Sequence, residues 1–158
     1  MSMAISSRRL DTPLGALYLA ACEEGVCALR RWRADDREEV RGHAALLDEA
    51  TAQIDAYLHG RREAFDLPLS LCGTAFEREV WAALRQVPYG KTESYAGIAV
   101  SIGRERACRA VGHACGRNPV LILVPCHRIV ASSGALTGFA AGLEMKRALL
   151  KLEQNGMK

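Results

Sequence analysis

Long apolar runs are missing from this 158-residue sequence. No stretch has the length a bilayer demands, so a membrane-spanning helix is not expected. The start, Met1-Ser2-Met3-Ala4-Ile5, passes straight into polar Ser6–Arg9 without the apolar centre of a secretory leader, and the expected compartment is the cytoplasm. No CxxC pair occurs among the six cysteines, Cys22, Cys27, Cys72, Cys108, Cys115 and Cys126, which argues against thioredoxin-like chemistry and most structural zinc sites. In a reducing compartment these thiols are core fillers, ligands or nucleophiles, not a disulfide framework. Repeats, low-complexity tracts and coiled-coil patterns are also lacking, and a monomer is expected. Net charge is only +3, so bulk charge does not point to a nucleic-acid partner and the placement of the arginines must decide. The length suits one or two small globular domains.

The first third reads as β-rich. Asp11–Gly15 is a turn, Ala16–Ala21 a strand, Glu23-Glu24-Gly25 a turn and Val26–Trp32 a strand, together a meander or hairpin pair. Ala34–Arg41 is charged and solvated. Leu46, Leu47, Ala50, Ile54, Tyr57 and Leu58 recur at helical spacing, and His59-Gly60 suits the end of that helix. Arg61–Leu71 reads as an extended linker. Thr74 then caps a helix, with Glu77 completing a capping box and Phe76, Val80, Trp81 and Leu84 on its buried face. The expectation is an α+β chain with a small N-terminal β-sheet and helix domain over residues 1–71. A mainly helical domain follows over 72–158.

Within the second part, Thr92 or Ser94 caps a helix over Tyr95–Ile102. Gly103 makes the turn, and Arg104–Cys115 is a second helix. That spacing is a helix-turn-helix. From Arg104 to Arg128 there are five arginines (104, 106, 109, 117 and 128) against one acid, Glu105, the pattern of a phosphate-facing stretch. Apolar Val120–Val124 leads into Pro125-Cys126-His127-Arg128. A last helix spans Leu143–Gln154.

Cys126 differs from the other cysteines. Pro125 fixes the backbone before it, His127 and Arg128 follow directly and favour its thiolate, and the apolar run delivers it to the end of a buried segment where a pocket can form. Cys108 and Cys115 read as helix packing residues, Cys72 as a linker residue, and Cys22 and Cys27 as fillers of the β unit. His127 is the natural general base. Neighbouring side chains point apart, so a water is expected between the two and a carboxylate to orient the imidazole, for which Glu153 is the candidate.

Val124-Pro125-Cys126-His127-Arg128-Ile129 resembles the active-site signature of the methylated-DNA–protein-cysteine methyltransferases (O6-alkylguanine-DNA alkyltransferases). Gly73-Thr74-Ala75-Phe76 with Val80-Trp81, Ser94-Tyr95, Arg109-Ala110-Val111-Gly112, Asn118-Pro119 and Leu149–Glu153 are similar to that family in order and spacing. So is the Thr12–Gly15 turn. The match covers nearly the whole chain.

The resemblance implies a ribonuclease-H-like N-terminal domain and a C-terminal alkyl-acceptor domain. The partner it implies is double-stranded DNA carrying alkylated bases; no cofactor is implied. Cys126 would take the alkyl group from O6 of guanine in a single irreversible turnover, with His127, a water and Glu153 drawing off its proton. Tyr95 would stabilise charge on the departing guanine, and Asn118 would tie the active-site turn to the recognition helix. Arg109 would fill the stack when the base flips out. Ser94, Ala107, Ala110, Gly112 and Arg128 would contact DNA, the small residues allowing close approach in the minor groove. Pro125, Ile129, Ser132, Phe139, Ala140 and Ala141 would line the alkyl pocket.

The chain also departs from the family pattern. Glu105 replaces a frequent proline, but an acid there suits the helix dipole. Phe139 replaces a common tyrosine, and Ala140-Ala141-Gly142 a glycine-richer segment. Cys22 and Cys27 stand where some relatives have two of four zinc ligands, without a second pair, and no metal is expected. A cysteine hydrolase and a non-catalytic lesion-binding protein are the competing readings. The first does not expect a helix-turn-helix beside the thiol, and the second lacks the cysteine.

Overall fold

The structure, a computed structural model, describes residues 4–156; Met1–Met3 of the apolar-poor start lie outside the described residues. Strands β1 (Ser6–Thr12), β2 (Gly15–Cys22) and β3 (Gly25–Arg31) form an antiparallel meander in the order β1-β2-β3. The pairs Leu10–Leu17, Leu19–Leu29 and Ala21–Val26 put one face of the sheet inside, as the period of two requires. Helix α1 (Ala44–Leu58) lays Leu47, Ala50, Ile54 and Tyr57 on that face. β1 was not foreseen as a strand: Ser-Ser-Arg-Arg-Leu-Asp-Thr has one apolar residue and little alternation to read. The linker passes close to β3, and the Val26 amide donates to the Pro68 carbonyl at 2.9 Å. A Cβ on Gly25 would lie 2.4 Å from that oxygen, so only glycine fits.

Helix α2 (Ala75–Leu84) starts at the foreseen capping box, with Glu77 N to Thr74 Oγ1 at 3.0 Å and Thr74 N to Glu77 Oε1 at 2.9 Å. Its Trp81 is 1% exposed and donates Nε1 to the Ala114 carbonyl at 2.8 Å. That bond fixes α2 against α4 (Cys108–Gly116), the second helix of the helix-turn-helix. The first, α3 (Tyr95–Ser101), is capped by Ser94, whose hydroxyl accepts from Gly97 N at 2.9 Å. α4 begins four residues later than expected, because residues 104–107 form a turn closed by Ala107 N to Arg104 O at 2.9 Å. Glu105 therefore lies before the helix, outside its first turn, and the dipole benefit expected of it is absent.

The apolar run 120–124 joins the two halves. Leu29 N donates to Pro119 O at 3.0 Å and Leu121 N to Leu29 O at 2.9 Å, so the run enters alongside β3. It then doubles back. Ile122 has φ 73° and Leu123 N reaches Leu121 O at 2.8 Å, a tight γ-turn that a β-branched residue tolerates only when buried packing holds it; Ile122 is 2% exposed. The short strands β4 (Glu93–Ser94) and β5 (Ile129–Val130) pair in parallel, and α5 (Leu143–Asn155) closes the fold. Among the described residues no helix is long and apolar enough to cross a membrane.

Candidate active site

Cys126 opens a single helical turn, Cys126–Arg128. Pro125, with φ −82° and ψ 63°, makes an inverse γ-turn in which Cys126 N donates to Val124 O at 2.8 Å, a conformation that the proline ring presets. Asn118, two residues beyond α4, meets this turn. Its Nδ2 donates to Val124 O at 2.8 Å and to Cys126 Sγ at 3.2 Å, while its Oδ1 accepts from Val120 N at 2.9 Å. The sulfur is therefore tied to the end of the helix that carries Arg109.

Cys126 is 4% exposed. Burial pushes its thiol up to about 11, against the lowering contributed by the Asn118 bond and by Lys146. The expected stabilisation of the thiolate by its two sequence neighbours is thus not found, because both are engaged elsewhere. His127 is fully buried and its Nε2 lies 2.7 Å from Glu153 Oε2. Arg128 donates Nε to Glu153 Oε1 at 2.9 Å, Nη2 to Oε2 at 2.8 Å and Nη1 to the Val87 carbonyl at 2.7 Å. Burial opposes ionisation of Glu153, yet the bonds from His127, Arg128 and Tyr57 hold its carboxyl at about 2. Burial lowers the His127 imidazole, outweighing the pull of Glu153. The ring is then neutral, with Nε2–H donating to Glu153 and Nδ1 left as the basic nitrogen. Among the described residues Nδ1 is buried without a protein partner.

Glu153 thus meets His127 as foreseen, but Arg128 is corrected: 7% exposed and committed to Glu153, it cannot reach a DNA phosphate. Arg117 and Arg104 are exposed yet paired with Glu77 (2.6 Å) and Glu79 (3.5 Å). Arg106 and Arg109 are exposed, and with Ala110 and His113 they mark the outer side of α4. Cys108 stands on that side too, exposed and not packed as expected. Ala107 is half-buried at the start of α4. Gly112, also half-buried, turns instead to Tyr95: a Cβ there would lie 3.9 Å from its ring.

Tyr95 is half-buried, and its hydroxyl accepts from Thr137 Oγ1 at 3.1 Å. Lys146, which sequence reasoning missed, is fully buried, donates Nζ to the Thr137 carbonyl at 2.7 Å and lies 6.0 Å from the centre of the Tyr95 ring. Its place one residue after buried Met145 on an apolar stripe gave no sign of this. The expected pocket residues are dispersed. Pro125 lines a cleft of about 340 Å³ between the two halves, with Phe65, Val87, Tyr89 and Arg128. Ala140 and Ala141 line another of about 200 Å³ with Arg31 and Leu121. Neither is lined by Cys126. Ile129 is fully buried in β5, Ser132 is exposed and Phe139 half-buried.

Comparison with known proteins places the chain in a family. Residues 7–71 match the ribonuclease-like domain of 6-O-methylguanine DNA methyltransferase, and residues 75–155 match its DNA-binding domain. A methylated-DNA–protein-cysteine methyltransferase of Methanosarcina barkeri is 44% identical over 153 residues, covering 94% of this chain and 97% of that protein. One of Mycobacterium tuberculosis is 43% identical, covering 96% and 93%. The crystal structure of Mycobacterium tuberculosis OGT in complex with DNA superposes with a TM-score of 0.85 at 43% identity, covering 94% of this chain and 92% of that one. A crystal structure of the O6-methylguanine methyltransferase of that organism gives 0.86 at 42% identity, covering 98% and 96%. With both halves matched and the identity sustained over nearly its full length, the chain belongs to the methylated-DNA–protein-cysteine methyltransferase family.

Proposed function

We propose that this protein repairs DNA by direct reversal, moving the alkyl group of O6-alkylguanine onto Cys126 in a single turnover. The C-terminal domain, residues 72–158, carries the acceptor and the DNA contacts, and residues 1–71 form a ribonuclease-like domain braced against it. The protein acts as a cytoplasmic monomer on duplex DNA. The helix-turn-helix docks in the minor groove with Ser94, Ala107 and Ala110 near the backbone. Arg109 takes the place of the flipped base.

The observation that carries the reading is the Asn118–Cys126 contact at 3.2 Å beside the His127–Glu153 pair at 2.7 Å. A buried thiol held at about 11 is inert to passing oxidants and must be deprotonated when substrate arrives. A bridging water passes the Cys126 proton to His127 Nδ1, and Glu153 stabilises the imidazolium. The sulfur then forms a bond to the alkyl carbon as the carbon–O6 bond breaks. The electron pair goes to the guanine ring, which takes a proton from Tyr95 while the His127 imidazolium returns one to the phenolate through solvent, and the products are S-alkylcysteine and guanine. Gly112 supports the Tyr95 ring. Pro125, Ile129, Ser132, Phe139, Ala140 and Ala141 shape the space for the alkyl group.

The test is the intact mass of the protein after incubation with duplex DNA containing O6-methylguanine. One methyl adduct per chain, on Cys126 and without turnover, is expected. Binding with no adduct would leave a lesion-recognition protein instead, and ester or peptide hydrolysis a cysteine hydrolase.

A further inference from the structure

Every group used so far to deprotonate Cys126 lies in the C-terminal half, yet one side chain of the N-terminal half enters the same cluster. Tyr57, in the last turn of α1, is fully buried. Its ring packs 5.2 Å from that of Phe65 and edge-on, at 6.1 Å, to that of Tyr89. Its hydroxyl donates to Glu153 Oε2 at 2.5 Å and stands 3.4 Å from His127 Nε2. Glu153 Oε2 is thus shared by Tyr57, His127 and Arg128, while Oε1 accepts from Arg128 and, at 3.2 Å, from the Gly90 amide. Apolar packing would have been served equally well by phenylalanine; the hydroxyl is what reaches the carboxylate.

We propose that Tyr57 is a positioning residue for the acceptor site: its hydroxyl fixes the Glu153 carboxylate against His127 and draws off part of its charge, so that His127 remains a neutral base. This rests on the transfer reading above, in which His127 takes the Cys126 proton. Burial drives the phenol far above its ordinary range, so the group is an uncharged donor at every working pH. The charges that act on His127 are Glu153, which favours its protonation, and Arg128 and Lys146, which oppose it. Among these only Glu153 is tempered by Tyr57. A carboxylate relieved of one strong donor presents more negative charge to its remaining partners. Without the hydroxyl, Glu153 would hold a proton on His127 at higher pH, and an imidazolium cannot accept the proton of the thiol. The N-terminal half is on this account a working part of the reaction.

The experiment compares the full-length protein with Tyr57→Phe in two measurements. One is the single-turnover rate of methyl transfer from duplex O6-methylguanine against pH. The other is titration of the His127 imidazole by NMR in labelled protein, which needs no transfer activity. In Tyr57→Phe the acid limb of the rate profile and the imidazole titration should rise together by about one pH unit, with about tenfold slower transfer below the limb and unchanged transfer above it. Phe65→Ala is the control: it removes packing from the Tyr57 ring and spares the hydroxyl, so it should lower the melting temperature without moving the limb. A His127 titration that stays in place or falls in Tyr57→Phe, or a uniform loss of rate at all pH values, overturns the assignment. If the unmodified protein transfers nothing, the repair reading fails, and the NMR titration still decides whether Tyr57 sets the protonation of His127.

Discussion

Arg31, the last residue of β3, donates Nε and Nη2 to the carbonyl of Ala141 at 3.1 and 2.8 Å, across 110 residues of chain. Lys146 holds the Thr137 carbonyl of the same loop. Two cations, one from each half of the molecule, therefore pin the segment that leads into α5. In Arg31→Ala the loop loses its outer tether while the core is untouched. Hydrogen exchange over residues 137–142 should accelerate by about tenfold, with a stability loss of no more than about 1 kcal/mol. Mass spectrometry of exchanging peptides checks this; unchanged exchange there would mean that the contact does not restrain the loop.

Asn118 is 7% exposed and bonds to Val120, Val124 and Cys126 at once. Asn118→Ala leaves the buried Val120 amide without a partner and the Val124 carbonyl with the Cys126 amide alone, and should cost about 1–3 kcal/mol in denaturant unfolding. The same bond lowers the Cys126 thiol, so its loss should raise the thiol further and shift the pH onset of iodoacetamide modification upward. A modification profile that superposes on the unmodified protein's would separate Asn118 from the thiol's chemistry.

Acid should destabilise the fold in two stages. The His127 imidazole is held below its ordinary 6.5, so the unfolded chain binds a proton that the folded chain refuses, and stability falls once pH drops below about 6.5. Glu153 is held at about 2 against an ordinary 4.5; its contribution is complete above about 4.5 and is lost as pH descends toward 2. Melting temperatures between pH 8 and 2.5 should trace both stages. Glu153→Gln should abolish the lower one and cost about 3–5 kcal/mol at neutral pH, because Arg128 is left buried without its counter-charge. An acid limb unchanged in Glu153→Gln would place the titration elsewhere.

Much of this was legible in the sequence wherever a local rule acts alone. The turns at Asp11–Gly15 and Glu23–Gly25 marked two strands, and Thr74 with Glu77 marked a helix start. What was not legible depends on distant partners. Arg128 reads as a phosphate ligand until Glu153 arrives from α5, 25 residues on. Tyr57 belongs to an apolar stripe, and its spacing is silent about a hydroxyl that meets a carboxylate 96 residues later. The late start of α4 follows from the turn after Gly103, which takes up Arg104–Ala107 although their propensities suit a helix.

Arg109 lies in the first turn of α4, exposed, with Arg106 just before it and the small Ala110 beside it. A cation there can do one of two things: neutralise a phosphate, or enter the stack and hold a base out. The first acts on binding alone, whereas the second acts on the step that exposes O6 to Cys126. The two separate in Arg109→Ala. If Arg109 holds the flipped base out, transfer from duplex O6-methylguanine should fall by about a hundredfold, the equivalent of a few kcal/mol of unstacking no longer offset, while transfer from free O6-benzylguanine is unchanged. Arg109→Lys keeps the charge without the planar guanidinium, so it should restore binding and its salt dependence but not the duplex rate. Single-turnover rates on both substrates, with binding measured at several salt concentrations, decide the matter: recovery of the duplex rate by lysine would reduce Arg109 to a phosphate contact.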